Sequence, residues 1–521
     1  MIGQLSPYII LAIIGVYFCM LLGISHWRTK NDTGNAAFFV ANRESHWALI
    51  AFGLLGASIS GITFISVPGK VGMVDTPNMA FSYMQLVFGY LAGYVFIALV
   101  LMPVYYRMNL TSIYTYLENR FGFYSYKTGA AFFLLARTLG SACRMYLIAM
   151  ILQKFVLEPL HVPFIVTAFV VVFLIWVYTY KGGTNTVIWT DTLATICFLS
   201  AVILTIVVIS NSLERSVGDL LGMVWQSDYS KIFFFSSGWT DPNNFFKQFL
   251  TGALTTITMT GMDQDLMQRN LACKNLKDAQ KNMFSFSAAL VVVNLMFLTL
   301  GALLYIYANQ NGLPMPKKSD ELYAMIAFQY LPPIGTIIFV LGLVAAAYSS
   351  ADSALTALTT SFCVDFLNFE KNAVNLNVPE GYYLSEETIA HAKDVEAAQT
   401  TLRQKVHLGF TFLLFLVILV LNFVNTDAII DVLLKVSGYT YGPILGLFIW
   451  GLYTERTPLD KYVPFVCILA PLLCYPLDLY SKQLFFGFNF GQLTLLPNGL
   501  LTIFGLWMLS KWRENREGVT G

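Results

Sequence analysis

A serine- and aspartate-rich stretch offers oxygen ligands within an otherwise apolar sequence. The segment LVAAAYSSADSALTALTTS places Ala346, Ser349, Ser350, Asp352 and Ser353 within two helical turns. Hydroxyl and main-chain carbonyl oxygens form the weak, exchangeable shell that suits a monovalent cation. The pattern predicts a cation site, with serines that only pack helices together as the alternative. Asp352 favours function, because a carboxylate inside a membrane span is costly.

A second cluster combines glycines with hydroxyl residues. The stretch LLGASISGITFISVPGKVG concentrates Gly56, Ser58, Ser60, Gly61 and Thr63 near its middle. Such residues weaken a membrane helix and let it unwind, which frees carbonyl groups to coordinate a cation. A close-packing face of small residues is the alternative explanation.

Three charged residues inside apolar stretches need partners. Arg137 and Arg144 are seven residues apart, hence on one helix face and about 10 Å apart along its axis. A substrate carboxylate could serve them, because it matches a guanidinium through paired hydrogen bonds. Alternatively, both pair with internal acids, or Arg137 reaches toward the membrane surface. Asp191 is either a ligand or an ordinary acid at a helix N-terminus.

These residues must be positioned by membrane helices. Of 521 residues, 56% are hydrophobic and 12% are charged, about half the charged share of a soluble domain. About 20 helical residues cross a bilayer core. We therefore predict an all-α polytopic membrane protein with a single transmembrane domain over residues 1–521. The predicted spans are thirteen: 7–25, 47–67, 78–105, 129–153, 162–180, 189–210, 247–266, 284–307, 330–362, 406–425, 429–452, 462–480 and 493–510.

Several functions are disfavoured by composition. A net charge of +1 provides no field for nucleic acid. Seven cysteines without a CxxC motif argue against a disulfide framework or a structural zinc site. The five histidines fall in loops or at span ends, so no Ser/His or His/Asp constellation suggests a membrane enzyme. We expect the chain not to be an enzyme.

The loops indicate an orientation and a repeat. Lys and Arg concentrate in alternate loops, for example Arg269 and Lys274, which predicts an outside N-terminus and a cytoplasmic C-terminus. The stretch TGALTTITMTGMDQDLMQR resembles the glycine-rich one in character. Each opens a group of five spans, about 47–210 and about 247–452, which can be inverted repeats with a site between their interrupted helices. Residues 365–405 are expected to form a solvated, partly helical cytoplasmic loop.

Five segments together resemble the sodium/solute symporter family over nearly the whole chain. They are ISGITFISVPGKVG, TSIYTYLENRFG, KGGTNTVIWTD, MDQDLMQR and AAAYSSADSALTALTTSF. The resemblance implies a LeuT-type fold, with two inverted five-helix repeats, one extra helix before them and two after. It also implies sodium as the coupling ion, a small organic solute as the other passenger, and a lipid bilayer as the surroundings.

The resemblance assigns site residues position by position. The shared sodium site would use main-chain oxygens of Gly56 and Ile59, together with Ala346, Ser349 and Ser350. A second sodium site, present in the sodium/sialic acid branch of the family, would use Asp191, Ser349, Asp352 and Ser353. Substrate contacts in that branch match Ser60, Thr63, Phe81 and Gln85.

The sequence departs from that branch at two places. Asp352 stands where the branch has a hydroxyl residue, so this carboxylate would hold sodium more tightly, bind a proton or form an internal pair. The branch's carboxylate-binding arginine falls near Gly140, one turn from both Arg137 and Arg144, which are the substrate-binding candidates here.

These patterns predict a sodium-coupled importer of sialic acid or another sugar acid. A sodium symporter for a neutral sugar, an amino acid or a short carboxylate is the alternative. A channel or membrane sensor without coupled transport is a hypothesis of a different class, and it predicts flux or binding that does not depend on sodium. The expected location is the inner (plasma) membrane of a bacterium, with multiple spans.

Overall fold

The structure, a computed structural model, describes residues 5–29, 35–40, 46–72, 79–180, 183–236, 238–369, 386–424 and 429–517. Within these ranges all regular structure is helical, as predicted. Among the described residues, ten helices are long and apolar enough to cross a membrane, and one bent pair makes an eleventh. Thirteen segments result only if the shorter helix Phe164–Thr179 and an interrupted helix between 245 and 270 are counted too.

The segments are numbered in chain order. They are α1 (Pro7–Thr29), α2 (Trp47–Ser58 and Gly61–Lys70), α3 (Tyr83–Phe96, continuing through a π turn to Arg107), α4 (Phe123–Leu152), α5 (Phe164–Thr179), α6 (Gly183–Ser212), α7 (Phe245–Thr256, a π turn Ile257–Gly261, and Gln264–Asn270), α8 (Leu276–Gln310), α9 (Pro333–Ser361), α10 (Glu386–Val424), α11 (Ile429–Tyr453), α12 (Val463–Leu479) and α13 (Leu495–Glu517).

The glycine-rich stretch forms an interrupted helix, which confirms the prediction from its composition. The two halves of α2 meet at Ile59 and Ser60 and differ in direction by 58°. Close packing accompanies the break. A Cβ atom on Gly56 would lie 2.7 Å from the carbonyl oxygen of Asp191 and 3.0 Å from Oγ of Ser349, so only glycine allows α2 to approach α6 and α9 this closely.

The interruption predicted in α7 is also present. A π turn, Ile257–Gly261, precedes Met262 and Asp263, which are outside the helix. The Asp263 side chain then accepts the N–H of Asp265 at 2.9 Å and caps the last part of α7. Both interrupted helices thus open the groups of five predicted from sequence.

Several helices, α6 and α10 among them, extend beyond their predicted boundaries, because hydropathy marks only the apolar part of a helix. α6 begins at Gly183 rather than near 189. α10 begins at Glu386, so the second half of the predicted 365–405 loop is helical, whereas residues 370–385 lie outside the described part. Arg403 in this helix is buried, with its guanidinium 4.1 Å from the centre of the Phe38 ring. Most other described residues of 387–405 are exposed, so this part of the segment is helical and largely solvated, with Arg403 as its buried contact.

Candidate functional site

The predicted ion ligands of α2, α6 and α9 meet where α2 is interrupted. Asp191 is fully buried, and Ser349 donates a hydrogen bond to its Oδ1. Because α6 begins at Gly183, Asp191 lies two turns inside the helix, so the alternative of a helix N-terminal acid is wrong. Gly56 completes the group, since the space that its Cβ would fill is bordered by three oxygens, those of Asp191, Thr195 and Ser349.

The remaining residues of the predicted shared sodium site lie beside this group. Ser350 donates to the carbonyl oxygens of Ala346 at 3.3 Å and Ala347 at 3.2 Å. Ile59 is the residue at which the first half of α2 ends. No cluster of three His, Cys, Asp or Glu side chains suited to a metal exists in the described ranges. The oxygens gathered here are hydroxyls, main-chain carbonyls and the Asp191 carboxylate, and such oxygen donors suit sodium.

Asp352 and Ser353, assigned to the second sodium site, face different neighbours. Asp352 is fully buried and accepts hydrogen bonds from the hydroxyls of Tyr178 and Thr190, each at 3.0 Å. Ser353 donates instead to Oδ2 of Asp265 at 3.2 Å. The four residues of the predicted second site are thus divided among three neighbouring polar groups, and their role stays a prediction.

A buried chain of charges connects the ion ligands to the centre of the protein. Arg269 Nη1 lies 2.6 Å from Oδ2 of Asp191, and its Nη2 lies 3.7 Å from Oδ1 of Asp265. Arg137 forms an ion pair with Asp265 and lies 3.9 Å from Oδ2 of Asp263. All of these side chains are at most 3% exposed. Two arginines thus face three aspartates, and Arg144 adds a third positive charge that acts on Asp263.

This chain of charges was not predicted from the sequence. Arg269 was counted among cytoplasmic loop residues, but Arg269 lies in the last part of α7 and is 3% exposed. The signal was present in the spacing of Asp265 and Arg269, which are four residues apart and so share a helix face. What the spacing did not reveal is that α4 and α6 supply the other partners.

A cavity of about 120 Å³ lies next to the interruption of α2. Four of the six predicted substrate-binding residues line it, namely Ser60, Thr63, Arg137 and Arg144. Most of its other polar lining was not predicted. Those residues are Ser58, Tyr83, Tyr90, Tyr94, Thr255, Thr256, Thr260 and Asn294. The tyrosine spacing in α3, seven and then four residues, is the sequence signal that could have found one wall.

Arg144 differs from Arg137 in its partners. Arg144 is buried and lines the cavity, yet no carboxylate among the described residues forms an ion pair with it. Its Nε lacks a hydrogen-bond partner among the described residues, as does Nε of Arg137. Asp263 attracts Arg144 as well as Arg137, but it forms no ion pair with Arg144, so this guanidinium keeps a donor for a ligand. The cavity therefore offers a cationic, hydroxyl-rich binding surface.

Phe81 and Gln85, the other two predicted substrate residues, do not line this cavity. Phe81 is 1% exposed. The Gln85 amide is bonded to backbone groups, donating to the Asn243 carbonyl at 2.9 Å and accepting the Phe234 N–H at 3.0 Å. Their proposed contact with substrate stays a prediction.

Comparison with known proteins identifies the kind of molecule that carries this site. A family model described as the sodium:solute symporter family matches residues 38–376. The sodium/sialic acid symporter NanT of Aliivibrio fischeri is 24% identical over 96% of this chain and 93% of its own length. The sodium/sialic acid symporter SiaT of Proteus mirabilis is 23% identical over 94% of this chain and 93% of its own.

Solved structures support the same fold. A Na+-coupled sialic acid symporter superimposes with a TM-score of 0.77 at 18% identity, covering 97% of this chain and 98% of its own. Mhp1, a nucleobase-cation-symport-1 transporter, gives a TM-score of 0.54 at 12% identity, covering 93% of this chain and 96% of its own. The LeuT-type transporter fold predicted from the sequence is confirmed.

Proposed function

Because the chain belongs to the sodium:solute symporter family, we propose that it imports a monoanionic sugar acid together with sodium, and that sialic acid is the solute. The observation that carries the choice of an acid is Arg144, a buried guanidinium that lines the cavity and lacks an ion-pair partner in the described part of the chain. The two sialic acid symporters similar to this chain over nearly their whole length support the choice of solute.

The cavity lining fits such a solute. A carboxylate would compensate Arg144 through two parallel hydrogen bonds. Ser60, Thr63 and Thr256 offer hydroxyl groups to a polyhydroxylated body, and Tyr90 offers a ring with a polar tip. Arg137 also lines the cavity, but its charge is already compensated by Asp265. Arg144 is therefore the proposed carboxylate ligand, with Arg137 as a positioning residue.

Sodium, the coupling ion of this family, would bind where α2 approaches α9. The proposed ligands are main-chain oxygens of Gly56, Ile59 and Ala346 and the hydroxyls of Ser349 and Ser350. The oxygens that surround the missing Cβ of Gly56 support this position. Asp191 would contribute charge at short range while remaining paired with Arg269. A second ion at Asp191, Ser349, Asp352 and Ser353 stays part of the proposal.

Coupling follows from the position of both sites on one interrupted helix. Gly56 and Ile59 belong to the ion site, whereas Ser60 and Thr63 line the cavity. Sodium that stabilises one arrangement of the α2 break therefore favours the arrangement that binds solute, and the reverse holds by linkage. One sodium and one monoanion together carry no net charge, so a one-to-one cycle is driven by the sodium concentration ratio alone. A second sodium moving through 100 mV would add about 2.3 kcal/mol, which is enough for about fifty-fold accumulation.

The proposed setting is the inner (plasma) membrane of a bacterium. The many apolar helices and the family make the chain a multi-pass membrane transporter. The basic residues of alternate loops support an outside N-terminus and a cytoplasmic C-terminus. Solute would then enter from the side at which α2 ends with Lys70.

Uptake of labelled N-acetylneuraminate into proteoliposomes, with and without an inward sodium gradient, tests this function. We expect uptake that requires the gradient and is strongly reduced in Ser350→Ala. Ser510→Ala is the matched control, because Ser510 is also buried and bonded to the carbonyl four residues earlier, at 2.9 Å, in the distant α13. Absence of uptake under every gradient would exclude sialic acid, and uptake indifferent to sodium would exclude the coupling mechanism.

A glycine pair in α2 tests the ion site separately. Gly56→Ala would place Cβ 2.7 Å from Oγ1 of Thr195, whereas Gly53→Ala places Cβ no closer than 3.3 Å to any neighbour. We expect Gly56→Ala to raise the sodium concentration for half-maximal uptake by about tenfold or more, and Gly53→Ala to change it little. Equal effects of the two substitutions would show that α2 does not hold the ion.

A further inference from the structure

A larger cavity, of about 610 Å³, lies at the predicted outer ends of the helices. We call it the vestibule, and its charged lining residues are Lys70, Lys247, Lys435, Lys482, Asp431 and Asp478. They belong to the last turn of α2, the first turns of α7 and α11 and the region around the end of α12. Tyr83 lines both the vestibule and the central cavity, so the two cavities are adjacent.

Among the described residues, two of the four vestibule lysines form ion pairs with carboxylates. Lys70 Nζ lies 2.6 Å from Oδ1 of Asp431, and Lys435 Nζ lies 3.9 Å from Oδ2 of Asp478. Lys247 and Lys482 form no ion pair with any residue in the described ranges, which exclude 73–78 and 425–428. The described lining therefore carries two ammonium groups in excess.

Lys247 is held in a fixed position. It is 6% exposed, its Nζ donates to the carbonyl oxygen of Asn489, and the same nitrogen lies 4.5 Å from the centre of the Phe488 ring. Asp241 is the acid that faces it, and Oδ1 of Asp241 accepts the N–H of Asn243 at 2.8 Å. Lys482 is exposed, beyond the end of α12. One lysine is thus oriented by its surroundings and the other is free to move toward a ligand.

We propose that the vestibule is a first, low-affinity binding site for the carboxylate of the transported acid, with Lys247 and Lys482 as its ligands. This inference rests on the proposed function, because it assumes that the solute is an anion. Positive charge in a cleft raises the local concentration of an anion and its rate of entry. An anion released from the vestibule toward Tyr83 would next meet Arg144, which likewise forms no ion pair with the described residues.

Direct binding tests the site apart from transport. Equilibrium dialysis of labelled N-acetylneuraminate at millimolar concentration would use the full chain carrying Arg144→Gln, which disables the proposed central ligand. We expect one weak binding event, lost when Lys247→Gln and Lys482→Gln are added. It should persist when Lys231→Gln and Lys317→Gln are added instead, since these exposed lysines lie outside the vestibule. Persistence in the Lys247/Lys482 variant would overturn the proposal.

Initial rates provide the second readout, with Arg144 intact. The Lys247→Gln/Lys482→Gln variant should raise KM by about 3- to 10-fold with kcat unchanged, and its KM should depend less on ionic strength at constant sodium. Lys247→Arg/Lys482→Arg keeps both positive charges and should therefore restore the wild-type KM. A merely structural role of Lys247 would not make KM depend on a positive charge at residue 482. An unchanged KM, or a fall in kcat alone, would overturn the proposal.

The two tests separate this inference from the proposed function. Lysine-dependent binding in the Arg144→Gln protein without sodium-driven uptake by the wild type would leave the vestibule site standing and remove the transport of sialic acid. Sodium-driven uptake without lysine-dependent binding would remove the vestibule site and leave the transport of sialic acid standing. Absence of both would overturn both.

Discussion

Arg137 and Arg144 lie on one face of α4, two turns apart, yet their surroundings differ. Arg137 forms an ion pair with Asp265 and lies near Asp263, in a chain of charges that continues through Arg269 to the ion ligands. Arg144 borders the same cavity without an ion pair in the described part of the protein. The comparison teaches that a guanidinium is available to a ligand only where the fold has not already supplied its anion.

The largest expected effect concerns Arg137, which forms an ion pair within the protein. Arg137→Gln would leave Asp265 and Asp263 buried with less positive charge, which should cost about 3–5 kcal/mol in the free energy of unfolding. The thermal unfolding midpoint of the purified protein in detergent measures this.

A paired substitution serves as the control. Adding Asp265→Asn to Arg137→Gln should recover part of the lost stability, because it removes an uncompensated charge. If Arg137→Gln instead unfolds like the wild type and binds the sugar acid poorly, then Arg137 rather than Arg144 is the substrate ligand.

A smaller effect, on affinity rather than folding, is expected for Arg144. Arg144→Gln should leave the unfolding midpoint close to that of the wild type and weaken N-acetylneuraminate binding by about 2 kcal/mol or more, which is about 30-fold. Equilibrium binding at saturating sodium measures the dissociation constant.

Arg144→Lys sharpens this result. It keeps the charge but lacks the planar fork, so its affinity should lie between those of the wild type and Arg144→Gln. An affinity unaffected by either substitution would favour the hypothesis of a neutral solute.

The smallest effect concerns Asp263, the last member of the chain of charges. Tyr441 donates a hydrogen bond to Oδ2 of Asp263, so Tyr441→Phe should destabilise the protein by about 1.5 kcal/mol. Thermal unfolding again provides the measurement. Tyr453→Phe is the matched control in the same helix, because Tyr453 is 64% exposed and should be neutral. Equal stability of the two variants would mean that Asp263 does not need this bond.

The sequence was most informative about helices and least informative about partners. Hydropathy located the spans, and the small and hydroxyl residues of α2 predicted its interruption, because both signals are local. The pairing of Asp191 with Arg269 is not local, since it joins α6 to the last part of α7. Nothing in the spacing of either segment specifies that contact.

The residues of the candidate site were likewise predicted only in part from the sequence. Ser60, Thr63, Arg137 and Arg144 were predicted and line the cavity, whereas Phe81 and Gln85 were predicted and do not. Gln85 could not be judged from sequence, because its amide is bonded to the backbone of the distant residues Asn243 and Phe234. Asn294 lines the cavity without any motif that marks it, whereas Thr256 belongs to the threonine-rich stretch of α7.

The sequence by itself determined that the chain is a membrane bundle with two weakened helices, because apolar length and the loss of helix stability are properties of neighbouring residues. The tertiary structure alone decided which charges are compensated. Arg137 and Arg144 are the same residue type on one helix face, and only the approach of the last part of α7 toward Arg137 distinguishes them. The difference arises because electrostatic energy depends on distance in space, whereas sequence spacing fixes distance only within a helix.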